Sequence, residues 1–133
     1  MDTDLIRRLH EGFGAFDDRD FSTAVSFFAP DIEWDFSALP GEGVVRGRDA
    51  LRAYFEGLGQ VWAEMTNDIE KIEEAGEGRV IVLARLRARG LRSGVDVDAP
   101  VAYLWELRDG AAGRVRLFFD RDEARRAATA ETA

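Results

Sequence analysis

The sequence predicts an α+β fold in which three helices from its N-terminal half pack on one face of a mainly antiparallel sheet. Three observations carry this. Apart from one alternating stretch at Asp31 to Phe36, apolar residues recur at helical spacing as far as Leu58, and the chain is rich in strand signals from about Thr66 onward. Glycine-bearing turns, at Gly76 and Gly78 and again from Asp109 to Gly113, divide the alternating half into successive strands. Helices that precede a meander of strands belong to the α+β layer arrangement, in which they segregate to one side of the sheet.

Taken in order, the first helix is predicted from Asp4 to Asp17, with Leu5, Leu9, Phe13 and Phe16 forming one apolar stripe. A short second helix follows, N-capped by Asp20, with Phe21, Val25 and Phe28 facing inward and Pro30 ending it. Asp31 to Phe36 alternates as a strand, placing Ile32, Trp34 and Phe36 on one face and Glu33 and Asp35 on the other. Ser37 to Gly47, with Pro40, Gly41, Gly43 and Gly47, is predicted to be a loop and a candidate lid. The third helix is predicted from Arg48 to Leu58, with Leu51, Tyr54, Phe55 and Leu58 inward. Strands are then predicted at Thr66 to Glu74, Arg79 to Arg89, Val97 to Arg108 and Arg114 to Phe119. Asp120-Arg121-Asp122-Glu123 has the spacing of a capping box, the start of a short C-terminal helix in an alanine-rich tail.

The composition narrows the function classes. At 133 residues there is room for one domain over 1–133, and 46% hydrophobic with 33% charged residues is an ordinary globular balance. Eighteen basic against 26 acidic residues give a net charge of −8, which argues against a phosphate-tracking nucleic-acid partner. Apolar runs fall far short of the ~20 residues that span a bilayer, so no membrane partner is expected. The acidic start and the lack of an apolar run behind it give an expectation of cytoplasmic location. Without cysteine there is no thiolate chemistry. One histidine, His10, and no suitable carboxylate cluster leave no expected metal or cofactor.

Three segments carry a likeness to known proteins: Phe27-Phe28-Ala29-Pro30-Asp31-Ile32-Glu33-Trp34, then Val45-Arg46-Gly47-Arg48-Asp49-Ala50-Leu51, and last Leu104 to Gly110 followed by Val115 to Ala124. In order and spacing they resemble the superfamily of nuclear transport factor 2, ketosteroid isomerase and the SnoaL-like polyketide cyclases. The resemblance implies a cone-shaped, half-closed, strongly curved sheet, a cavity between it and the helices, and a homodimer. It implies no single activity, because this scaffold hosts isomerases, cyclases, hydrolases and binding modules.

Carried over residue by residue, the ketosteroid isomerase likeness puts Phe36 where that enzyme has its carboxylate base and Tyr103 where it has an oxyanion donor. Limonene-epoxide hydrolases use an Arg-x-Asp pair and a further aspartate; the matching positions here read Arg85-Leu86-Arg87 and Leu117. Tyr103 and Arg85 are therefore the candidate catalytic residues, each able to polarise a ligand oxygen. Trp34, Phe36, Tyr54, Trp105, Leu117 and Phe119 are the candidate ligand-binding residues, and the expected ligand is a small apolar or aromatic molecule. Core filling is the competing reading for each ring. Arg85 carries two readings. The family match sends it into the pocket, whereas strict alternation groups it with Arg87 and Arg89 opposite Val80, Val82, Ala84, Leu86 and Ala88, facing Asp68 and Glu70 across the hairpin.

Overall fold

The computed structural model describes residues 3–39 and 41–132, with the side chains described as far as residue 130. Pro40, part of the expected loop, lies outside the described residues. Helix α1 (Thr3–Asp17) leads into α2 (Phe21–Ser26) and β1 (Phe28–Asp35); β2 (Val44–Arg46) precedes α3 (Arg48–Leu58). Four strands follow, β3 (Trp62–Glu74), β4 (Arg79–Gly90), β5 (Asp96–Arg108) and β6 (Ala111–Phe118), and α4 (Arg121–Thr132) ends the chain. The six strands form one mixed, open sheet in the order β2-β1-β6-β5-β4-β3. Among the described residues β1 and β6 run parallel and every other pairing is antiparallel.

Two expectations about the first strand are corrected. It begins at Phe28, so that residue belongs to the sheet rather than to α2, and Pro30 lies inside the strand. Proline supplies no N–H to a ladder. The β1–β6 pairing accordingly shifts register between Phe28 and Glu33, and β2 joins β1 only from Glu33 onward. The expected loop also contains a strand. Val44 to Arg46 pairs with Glu33 to Asp35, and the connection shrinks to a tight hairpin tip in which the Phe36 N–H donates to the Gly43 carbonyl, 2.9 Å. Gly47, at φ +88°, turns the chain from β2 into α3, a left-handed conformation that favours glycine.

The core lies between the helices and the inner face of the sheet. Leu9 and Phe13 of α1, Leu51 and Phe55 of α3, and Ile32, Trp34, Val82, Val101 and Val115 of the sheet are all buried together. Arg48 anchors α3 to the sheet, its Nε donating to the Phe28 carbonyl at 2.9 Å.

A second, smaller cluster occupies the outer face. Ile81, Leu83, Ala102 and Leu104, the alternate residues of β4 and β5, are covered by Ala124 and Ala128 of α4. Asp120 caps this helix as expected, accepting the Asp122 and Glu123 backbone N–H groups at 2.9 and 3.1 Å. Arg125 joins Glu73 through two hydrogen bonds of 3.1 and 2.8 Å, tying the helix to β3. No helix among the described residues is long and apolar enough to cross a membrane.

Candidate functional site

A cavity of about 310 Å³ opens between α1, α3, the hairpin tip and the inner sheet face. Strand alternation explains most of its wall. Trp34 projects from β1 and Phe36 from the position just after it, Tyr103 from β5, Leu117 from β6, Leu86 and Ala88 from β4, and Met65 and Asn67 from β3. The helices add Phe13, Phe16, Tyr54, Phe55 and Leu58, while Leu39 reaches in from the hairpin tip and Phe119 stands at the rim, 41% exposed. Several rings pack on one another: Trp34 lies parallel to Phe36 with centroids 5.4 Å apart, and Phe36 stacks on Tyr54 at 4.3 Å.

One polar pair stands in this wall. The Tyr103 hydroxyl donates to Asn67 Oδ1 at 2.7 Å, and both residues are buried. Burial drives the Tyr103 hydroxyl far above the usual tyrosine range, with the Asn67 bond opposing and the Asp17 charge adding to the shift, so it acts as a neutral donor. Behind the pair, Asp17 at the end of α1 accepts the Asn67 backbone N–H at 3.1 Å. Burial raises the Asp17 carboxyl from an ordinary 3.8 to about 6; the Asn67 N–H opposes the shift, and the charges of Asp68 and Asp18 add to it. At the mouth, Tyr54 is pushed up to about 12, first by burial and then by the neighbouring Glu42 carboxylate of the hairpin tip.

The structure brings six of the eight predicted residues to this cavity: Trp34, Phe36, Tyr54, Tyr103, Leu117 and Phe119. Trp105 is displaced by one layer. It is buried against Phe13, Phe28 and Trp34, with ring centroids 5.8, 5.4 and 6.4 Å away, and fills the core behind the cavity wall. Arg85 is also elsewhere. Its Nε binds Asp98 Oδ1 at 2.5 Å on the outer face, with 39% of the side chain exposed, so strict alternation decides between the two readings. Asp68 does face an arginine, pairing with Arg87 at 2.5 Å, whereas Glu70 pairs with Arg121 of α4. His10 is exposed on α1. Among the described residues no cluster of three or more histidine and carboxylate groups is placed to hold a metal ion.

Asn67 and Asp17 escaped the sequence analysis. The available signal was Met65-Thr66-Asn67-Asp68-Ile69, in which an asparagine takes the apolar register of a half-buried strand. A register shift between Ile69 and Lys71 hid it, because counting back in twos from inward Ile72 points to Asp68 instead.

Helices laid over an open six-stranded sheet, with an apolar cavity between the layers, define the class as that of the nuclear transport factor 2-like proteins, the ketosteroid isomerase-like fold. The chain belongs to the family of the SnoaL-like domain, which matches residues 6–115. A nuclear transport factor 2-like protein of unknown function from Burkholderia pseudomallei superposes with a TM-score of 0.78 at 24% identity, covering 96% of this chain and 99% of that one. TerC, crystallised with polyporic acid, gives 0.75 at 22% identity over 94% and 98%. A protein with the ketosteroid isomerase-like fold from Catenulispora acidiphila, in complex with trimethylamine, gives 0.77 at 12% identity over 91% and 88%. No curated protein matches the chain in sequence.

Proposed function

We propose that the chain binds a small apolar or aromatic organic molecule in the cavity between its helices and sheet. The observation that carries this is a hollow of about 310 Å³ walled by aromatic and aliphatic side chains, with polar groups converging at two points, Tyr103–Asn67 and Tyr54. That volume is at the lower end of the ~300–1,000 Å³ of small-molecule sites, which suits a ligand of one or two rings. Two proteins of the same fold are known with small molecules, polyporic acid and trimethylamine.

A second reading, a cofactor-independent enzyme of isomerase, cyclase or hydrolase type, is favoured by the hydroxyl–amide pair. Hydrogen bonds in a wall this apolar polarise a carbonyl more strongly than they do in water. Arg85 has no part in it from its outer-face ion pair. Among the described residues no carboxylate or imidazole lines the cavity to take up a proton, so binding stands first.

Trp34 and Trp62 both line the cavity, and their fluorescence provides the readout. Titration with tetralin and 1-tetralone should quench it saturably and raise the unfolding midpoint, by about 2.7 kcal/mol of stability at a hundredfold excess over Kd. Leu86→Trp, which fills the cavity, should abolish the response, and Arg85→Ala should leave it unchanged. A full response in Leu86→Trp would place the ligand elsewhere. Deuterium exchange at the α-carbon of 1-tetralone in heavy water, followed by proton NMR, tests the second reading; exchange no faster than in buffer counts against it.

A further inference from the structure

Asn67 is placed in a way the aromatic wall does not require. Apart from the aromatic side chains, it is the one buried polar residue among the described residues, 7% exposed, and lines the cavity. Its backbone N–H donates to Asp17, and its Oδ1 accepts the Tyr103 hydroxyl. What remains is the amide nitrogen Nδ2. An asparagine carries two N–H donors there, and no described group accepts from them. Nor is that nitrogen among the fully enclosed polar atoms without a partner, so it keeps accessible surface, on a residue that lines the hollow.

Charge sharpens the picture. Among the described residues no arginine or lysine lines the cavity, and the ionisable group behind the polar pair is the Asp17 carboxyl. An anion entering there would give up its hydration, meet no cation and approach a carboxylate, which is unfavourable on every count.

Resting on the binding reading above, we propose that Asn67 orients the ligand by donating from Nδ2 to a neutral oxygen acceptor, so that the site selects uncharged one- or two-ring carbonyl compounds over both hydrocarbons and carboxylates. Tyr103 and Asp17 then act as positioning residues, the first holding the amide so that its N–H groups point into the hollow and the second fixing the strand beneath it.

The test uses three probes of similar shape: tetralin, 1-tetralone and 2-naphthoate. In the unaltered protein 1-tetralone should bind about tenfold tighter than tetralin, the ratio that one net hydrogen bond of ~1.4 kcal/mol supplies, and 2-naphthoate at least tenfold more weakly than 1-tetralone. Asn67→Leu should erase the ketone preference while keeping tetralin affinity, which also shows that the variant is folded. Infrared spectroscopy reads the same contact without a substitution: the carbonyl stretch of bound 1-tetralone should shift to lower frequency than in a hydrocarbon solvent. Equal affinity for tetralin and 1-tetralone, a preference that survives Asn67→Leu, an unshifted stretch or tight binding of 2-naphthoate would each overturn the assignment to Asn67 and leave the cavity as a binding site. Failure of both tetralin and 1-tetralone to bind would overturn the binding reading itself.

Discussion

Asp17 shows how one residue couples the first helix to the site. Its carboxylate receives the Asn67 N–H, yet it is partly desolvated and lies near the negative charges of Asp18 and Asp68. A carboxyl raised from 3.8 to about 6 binds its proton more readily in the folded chain than in the unfolded one. Its contribution to stability is therefore fully present below pH 3.8 and is lost as the pH rises through about 6. Asp17→Asn keeps an oxygen acceptor for Asn67 and removes the charge. We expect this variant to be more stable than the parent above pH 6, by on the order of 1 kcal/mol once solvent screening is allowed for, and to match it near pH 4. Thermal unfolding across that range measures the difference; a stability gain that grows as pH falls would contradict the assignment. Residues of this kind were hard to read from sequence. Aromatic positions announce themselves through alternation, but a single Asn or Asp in a strand or at a helix end is ordinarily solvated, and only its neighbours in space make it otherwise.

At the scale of elements, α4 is the least expected contributor. Its inward residues are alanines, which carry almost no periodic apolar signal, yet they seat against Ile81, Leu83, Ala102 and Leu104 on the outer face of the sheet. Small side chains let the helix lie close to the strands. Ala124 has no exposed surface, so Ala124→Leu should overpack this contact and destabilise the protein by about 1–3 kcal/mol in urea denaturation. A neutral substitution would mean that the helix is held chiefly by the pairs of Arg121 with Glu70 and Arg125 with Glu73. The hairpin tip is the other element the sequence did not show. A three-residue strand is too short to display alternation, and its pairing with β1 was signalled only by the flanking glycines.

At the scale of the molecule, the two faces of the sheet do different work. The inner face faces the helices and the hollow; the outer face carries the α4 contact beside an arginine–carboxylate ladder of Arg85–Asp98, Arg87–Asp68 and Arg89–Glu64. Exposed pairs of this kind contribute little to stability, typically under ~1 kcal/mol each. Any partner meeting the outer face must accommodate both α4 and the ladder. Removing the chain after Asp120 uncovers Ile81, Leu83 and Leu104 as an apolar patch. Sedimentation velocity should then show stronger self-association for the shortened chain than for the full one, and more so in high salt, which favours apolar burial. Equal association states would show that α4 does not control this face.

Local sequence sets most of the architecture: the spans of α1 and α3, the long strands, the caps at Asp20 and Asp120, and most of the rings on the inner face. These are local properties, set by periodicities of 3.6 and 2 that each segment carries within itself. Tertiary structure alone decided which of those rings border empty space and which fill the core, separating Phe36 and Tyr103 from Trp105. It also decided that Arg85 looks outward and that Asn67 looks in. The reason is physical. A cavity is the space left where elements distant in sequence fail to touch, and a bulge such as that between Ile69 and Lys71 resets the register that local counting assumes.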